Sequence, residues 1–278
     1  MYESYLTNGK QLSFDKAQVM AVINLTPDSF YDGGKFSSVA DVLKDAEMKI
    51  EEGATILDLG AASSRPGATA VTAAEEIERL KAPLRELRTH FPHVFISVDT
   101  YNAEVAEFAI HSGADIINDI SGGNMDENML PLIARSQVVY ILMHMQGTPQ
   151  TMQHNPHYSH VVEEVKAFFT EKIAICERLG IDKLILDPGF GFGKTLEHNY
   201  ALLKHIEAII SLGYPVLSGI SRKAMVNKVL HTSPVTALTG TTVLNTLALH
   251  NGAKIVRVHD VKEAKQAVDI MAYYNSVS

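Results

Sequence analysis

The sequence has 278 residues, 46% of them hydrophobic and 20% charged, with a formal net charge of −8. These are the values of an ordinary globular chain, which excludes wholesale disorder; no apolar run approaches the roughly 18–20 residues that span a bilayer, which excludes a membrane helix, and no Lys/Arg-rich run offers nucleic acid a basic patch. A single cysteine, Cys176, excludes an internal disulfide framework and a cysteine-based zinc site, and the expected compartment is the cytoplasm.

Residues 1–17 precede the pattern that organises the chain and are left for a small hairpin. From residue 18 onward, short Val/Ile/Leu-rich runs alternate with longer stretches of helical spacing. The runs are 18–25, 55–60, 94–100, 115–120, 138–144, 183–188, 215–220 and 254–259. Most lack polar alternation, as strands covered on both faces do. The helical stretches are 37–52, 73–90, 103–112, 127–136, 158–180, 196–212, 234–251 and 261–274. Several end at a glycine (Gly53, Gly113, Gly180, Gly213, Gly252), a common helix stop. Asn24, Asp58, Asp99, Asn118, His144, Asp187, Ser221 and His259 stand at or near the ends of the eight runs. They recur about every 34 residues, the length of one strand plus one helix. Eight such units predict one (β/α)8 (TIM) barrel domain over residues 1–278, its bottom closed by the N-terminal hairpin and its site at the C-terminal strand ends. A doubly wound sheet, the competing architecture, would gather functional residues near one switch point instead.

The stretch GFGFGKT at 189–195 invites a phosphate-loop reading, but the position five before Gly193 is Pro188, where that loop needs glycine. The glycines are read instead as letting the backbone pass close to a ligand. NLTPDSF at 24–30 and SSRPG at 63–67 are polar loops after the first two strands; an arginine among hydroxyls suits an anion. Asp99, Asn118 and Asp187 could cap the following helices. Grouped at one barrel mouth, they suit a ligand rich in N–H donors, or a divalent metal. Ser221-Arg222-Lys223 and Arg257-Val258-His259 add positive charge at the last two strands, where barrels often bind phosphate. His144 is either a ligand contact or a packed histidine, and Cys176 is plain core.

Taken together and in this order, NLTPDSFYDGG, SSRPGA, SVDT, NDISGG, LMHMQG, LDPGFGFGK, SGISRK and IVRVHD resemble the dihydropteroate synthases, over residues 20–260. The resemblance implies a homodimeric (β/α)8 barrel, a transferase of folate synthesis and a target of sulfonamides. It implies condensation of 6-hydroxymethyl-7,8-dihydropterin diphosphate with 4-aminobenzoate to give 7,8-dihydropteroate and diphosphate. Diphosphate would leave early, and the aromatic amine would then attack the pterin-methyl cation. Mg²⁺ is the implied cofactor, with Asn24 its protein ligand among waters and phosphate oxygens. Catalysis would rest on Asn24, Asp32, Arg65, Lys223, Arg257 and His259. The pterin would meet Asp99, Asn118, Met143, Asp187, Phe192, Gly219, Lys223 and Arg257. Diphosphate would meet Asn24, Ser64, Arg65, Arg257 and His259. Phe30, Ser64, Pro66, Phe192, Ser221 and Lys223 would hold the aminobenzoate. Two positions depart from the common pattern: Ala62, where many members have glutamate, and Ala224, where many have a serine that binds the aminobenzoate carboxylate. These alanines are the hints toward a non-catalytic pterin-binding paralogue. A methyltetrahydrofolate-dependent corrinoid methyltransferase, the other alternative, would have no diphosphate to expel and so no use for Arg65 or the 221–223 cations.

Overall fold

The computed structural model describes residues 3–26, 38–62 and 71–277. It begins with two antiparallel strands, β1 (Ser4–Thr7) and β2 (Lys10–Ser13). They are joined by Asn8-Gly9, both at positive φ, as a two-residue hairpin turn requires. The chain then runs β3 (Gln18–Asn24), α1 (Val39–Glu51), β4 (Ile56–Gly60), α2 (Ala73–His90), β5 (Phe95–Asp99), α3 (Ala103–His111), β6 (Ile116–Asp119) and α4 (Met129–Ser136). It continues β7 (Val139–Met143), α5 (Val161–Arg178), β8 (Leu184–Asp187), α6 (Leu196–Lys204), α7 (Glu207–Ile210), β9 (Leu217–Ser218), α8 (Ala224–Leu230), α9 (Leu238–His250), β10 (Ile255–Val258) and α10 (Val261–Ser276). The eight strands β3 to β10 are parallel, in the order β8-β7-β6-β5-β4-β3-β10-β9. Backbone pairing of Leu186 with Val216, beside β9, brings the two ends together into the expected barrel.

The strand period of two decides what each barrel residue faces. Met20, Ile56, Ile116, Ile185, Leu217 and Ile255 point inward and form one buried cluster with Tyr5, Leu12 and Phe14 of the hairpin. Their neighbours Val19, Leu57, Ile117, Leu184, Val216 and Val256 point outward and bury against the helices. Two residues further along each strand, the inward positions change character. They become Val22 and then Asn24 on β3, Asp58 on β4, Asn118 on β6, Asp187 on β8 and Arg257 on β10. The same parity that fills the lower barrel with aliphatic side chains therefore delivers polar groups to its mouth.

The hairpin plugs the bottom. Tyr5 Oη donates to Leu184 O at 2.6 Å, and Thr7 Oγ1 donates to Asp115 O at 3.2 Å. The buried Asp115 carboxylate accepts from Lys10 Nζ (2.6 Å), Arg88 Nη2 (2.7 Å), Asn8 Nδ2 (3.0 Å) and the Ile96 amide (2.9 Å).

Three helical expectations change. The stretch 196–212 splits into α6 and α7, because Asn251 Nδ2 takes the Leu203 carbonyl at 3.0 Å as α6 ends. The stretch 234–251 opens with a 3-10 turn at Pro234–Thr236 before α9. The short helix α8, unmarked by any strong apolar periodicity, follows β9.

Candidate active site

The strand ends surround a cleft of about 650 Å³. Asn24, Asp99, Asn118, Met143, Asp187, Phe192, Gly219, Ser221, Lys223, Arg257 and His259, all expected site residues, line it. The remaining expected residues, Phe30, Asp32, Ser64, Arg65 and Pro66, lie outside the described residues. Ala62 and Ala224, the two departures from the family pattern, also line the cleft. So do Met152 and Gln153 from the segment after β7, and Pro234 from the turn before α9. Sequence reading did not single these three out.

Arg257 is the electrostatic centre. Its Nε donates to Asp58 Oδ2 at 2.6 Å and its Nη2 to Asp99 Oδ2 at 2.9 Å. Burial works against its charge, but Asp58 and Asp99 outweigh burial and push its pKa up. Asp58 lies beneath the cleft with no exposure. It also accepts from Ser97 Oγ (2.6 Å) and Asn118 Nδ2 (3.2 Å), and so orients both Arg257 and Asn118. Sequence reading counted Asp58 among the strand-end residues but gave it no role; an acid inside the otherwise apolar run Ile56–Gly60 was the available signal. Burial raises the Asp99 carboxyl, while Arg257 pulls it back down.

Asp187 is buried at the end of β8, where its Oδ1 accepts the Gly189 amide at 2.8 Å. Burial raises its pKa, and Lys223 is the strongest of the groups that lower it. Lys223 Nζ donates to Phe190 O and stands 4.5 Å from the centre of the Phe192 ring. Burial pushes Lys223 down to about 8, against the pull of Asp187. The two cations thus sit among acceptors that face the same space.

His259 Nδ1 lies 3.0 Å from Ser221 Oγ, which also accepts the His259 amide at 3.2 Å. A hydroxyl that accepts from the backbone is placed to donate to Nδ1, which leaves the ring proton on Nε2. Burial and the cations Arg257, Lys49, Arg222 and Lys223 push His259 to about 3, so the ring is neutral.

Arg222 corrects the reading of Ser221-Arg222-Lys223 as one cationic patch. It adopts a left-handed backbone (φ +58) and is not a cleft-lining residue. Its guanidinium grips Asp260 through Nε (2.8 Å) and Nη2 (2.5 Å), and its Nη1 reaches the Pro234 and Val235 carbonyls. It ties together two segments behind the cleft wall, Pro234-Val235 and Asp260. His144 is the packed, hydrogen-bonded histidine of the blander reading, and Cys176 is buried core.

Among the described residues no three His, Cys, Asp or Glu side chains gather into a group that could hold a metal. Asn24 offers one neutral oxygen at the cleft, facing the side-chain-free Gly60. Such a set fits Mg²⁺ arriving on a diphosphate, because Mg²⁺ keeps waters and phosphate oxygens and needs few protein ligands.

The model of the pterin binding enzymes matches residues 20–259. The dihydropteroate synthase of Escherichia coli K12 is 43% identical over 265 residues, covering 95% of this chain and 93% of that protein. Among solved structures, the Yersinia pestis dihydropteroate synthase in complex with a sulfonamide drug superposes with a TM-score of 0.94 at 39% identity, covering 99% and 100% of the two chains. The Xanthomonas albilineans dihydropteroate synthase with 4-aminobenzoic acid gives 0.92 at 37% identity, covering 100% of each. Barrel, cleft and sequence agree: the chain belongs to the dihydropteroate synthase family, transferases of folate synthesis.

Proposed function

We propose that this cleft condenses 6-hydroxymethyl-7,8-dihydropterin diphosphate with 4-aminobenzoate, releasing 7,8-dihydropteroate and diphosphate. The observation that carries the reading is the pairing inside one cleft of three acceptors, Asp99, Asn118 and Asp187, with two cations, Lys223 and Arg257. A pterin matches that set. Its guanidine-like edge of N–H donors goes to Asp187, with Asn118 and Asp99 on neighbouring ring atoms. Lys223 donates to the ring carbonyl. Arg257, its plane fixed by two carboxylates, stacks on the heterocycle. Met143 and Phe192 flank the ring.

The leaving diphosphate falls to Asn24, Arg257 and the neutral His259, whose Nε2–H suits an anion. Asn24 would be the protein ligand of Mg²⁺, which when bound would supply further charge neutralisation to the departing diphosphate. The C–O bond to diphosphate breaks first, its electron pair leaving with diphosphate; the amine of 4-aminobenzoate, placed by Phe192, Ser221 and Lys223, then attacks the pterin-methyl cation and loses a proton. The protein's share is charge arranged in advance around a separating ion pair; no enzyme nucleophile is needed.

The chain is further read as a homodimer in the cytoplasm. Val243 and Leu247 on α9, and Ile270, Tyr273 and Tyr274 on the adjoining α10, expose apolar side chains that a second copy would cover. No helix among the described residues is long and apolar enough to cross a membrane.

The test is diphosphate release from the pterin diphosphate with Mg²⁺, with and without 4-aminobenzoate, followed by product identification. Dihydropteroate is the expected product. Pterin binding without release would identify the non-catalytic paralogue, and light scattering that reports only monomer at micromolar concentration would refute the dimer.

A further inference from the structure

The GFGFGK run that resembled a phosphate loop has a different use. Lys194, its last residue, is 4% exposed. The ammonium reaches Gly189 O and Phe192 O at 3.0 Å, His144 O at 3.3 Å and His144 Nδ1 at 2.9 Å. A buried ammonium needs each of its N–H groups partnered. Here the partners come from two segments, the residue after β7 and the turn after β8. That turn is braced on every side. Asn199 Oδ1 accepts the Gly191 amide (2.6 Å), Gln153 Nε2 donates to Gly191 O (2.7 Å) and Tyr158 Oη donates to Gly193 O (2.9 Å). Glycine permits the close approach: a Cβ on Gly189 would run into His144 O, and one on Gly193 into Gln146 O.

Both ends of the turn serve the cleft. Asp187 precedes it and accepts the Gly189 amide, while Phe192 lies within it and lines the cleft. We propose that Lys194 is a positioning residue for pterin recognition: its buried ammonium pins the end of β7 to the turn after β8, and so holds the Asp187 carboxylate and the Phe192 ring where they grip the heterocycle. The proposal rests on the pterin reading above.

Lys194 also acts on Asp187 through its charge. Asp187 is raised by burial and lowered by Lys223, the Gly189 amide, Arg257 and Lys194. Lys194 is itself lowered by burial to about 7, raised by Asp187 and lowered by Lys223. His144 is pushed to about 2 by burial and by Lys194, so it stays neutral and can accept at Nδ1. Below pH 7 Lys194 is charged and helps keep Asp187 ionised. Without that charge Asp187 rises further, and the carboxylate needed by the pterin N–H edge is lost at a higher pH.

The experiment measures the affinity of 6-hydroxymethyl-7,8-dihydropterin by calorimetry from about pH 5.5 to 8. It compares the wild type with Lys194→Gln, Lys194→Met and Asp187→Asn. At neutral pH Lys194→Met is expected to bind the pterin roughly tenfold more weakly, as for loss of a charged hydrogen-bond donor. In both Lys194 variants the acid limb of binding is expected at higher pH. A merely structural role would lower Tm and leave that limb in place. Unchanged affinity and an unmoved limb in a folded variant would overturn the proposal. Should neither variant fold, the ¹⁵N signal of the Lys194 ammonium in the wild type is expected to shift on pterin addition, and its failure to do so would overturn the proposal equally. If Asp187→Asn binds pterin normally, the pterin reading falls and takes this proposal with it. If Asp187→Asn loses binding and the Lys194 variants do not, only the positioning role falls.

Discussion

Asp58→Asn probes the ion pair on which the cleft is built. Asp58 is fully buried and holds Arg257 Nε at 2.6 Å, Ser97 Oγ at 2.6 Å and Asn118 Nδ2 at 3.2 Å. Asparagine keeps the volume but removes the charge, and it puts a donor where three donors already converge. Breaking one partner of a buried pair costs about 3–5 kcal/mol. The Arg257 side chain keeps 22% exposure and its bond to Asp99, so the lower end, about 3 kcal/mol, is expected here. A chain of 278 residues unfolds with roughly 0.6 kcal/mol per kelvin of entropy, which converts that cost into a Tm loss of about 5 °C. Pterin affinity is expected to fall roughly tenfold as well, because Asp99 alone no longer fixes the guanidinium plane. Calorimetric melting and pterin titration, in one buffer, measure both. A Tm within about 1 °C of wild type with unchanged affinity would refute the view that Asp58 anchors Arg257. A Tm loss with unchanged affinity would leave Asp58 a role in the fold and none in orienting the cleft.

Three further outcomes are expected. kcat/KM should be bell-shaped in pH: burial raises Asp187, and raises Asp99 to about 7, so their ionised forms are lost as pH falls, while Lys223, lowered to about 8, loses its charge as pH rises. A profile that stays flat through the neutral range would count against these groups. Arg222→Lys should raise KM for 4-aminobenzoate while pterin affinity holds, since it breaks the two-pronged grip on Asp260 and the hold on the Pro234 carbonyl; steady-state kinetics with each substrate varied separates the two. Tyr5→Phe should cost about 1–2 kcal/mol, read as a small drop in Tm with activity retained, because the lost bond to Leu184 O lies at the far end of the barrel.

The barrel and most of the cleft were legible because strand residues obey a short local rule. Once Asp99, Asn118, Asp187 and Arg257 were placed near strand ends, period-two geometry carried them to one mouth. What escaped depended on contacts between distant residues. Asp58 sits one layer below the mouth, so its value becomes visible only when Arg257, 199 positions away, reaches down to it. Three consecutive residues, Ser221, Arg222 and Lys223, looked like one patch, but the left-handed turn at Arg222 sends the middle side chain behind the wall. Asn251 ends α6 from 48 positions downstream, which no helical periodicity encodes. Gln153 enters the cleft wall through its bond to the Gly191 carbonyl.

The two ends of the barrel use buried carboxylates in opposite ways, and the contrast sets the mouth apart from the bottom. At the bottom, both oxygens of Asp115 are taken by Lys10, Arg88, Asn8 and the Ile96 amide, so the acid is consumed in joining the hairpin to the barrel. At the mouth, Asp187 is also buried, yet one oxygen accepts only the Gly189 amide, and among the described residues nothing donates to the other. Gly219 stands across from that second oxygen, where even a Cβ would come within 3.8 Å, so its lack of a side chain keeps the approach open. A carboxylate taken out of water without its full set of donors is destabilising. Burial does raise the Asp187 pKa, and the cations around it keep the charged form accessible. Among the described residues the second oxygen is thus left facing the cleft, where a bound ligand can donate to it. A heterocycle with two adjacent N–H groups would match it, beside the Arg257 guanidinium whose plane two other carboxylates have already fixed.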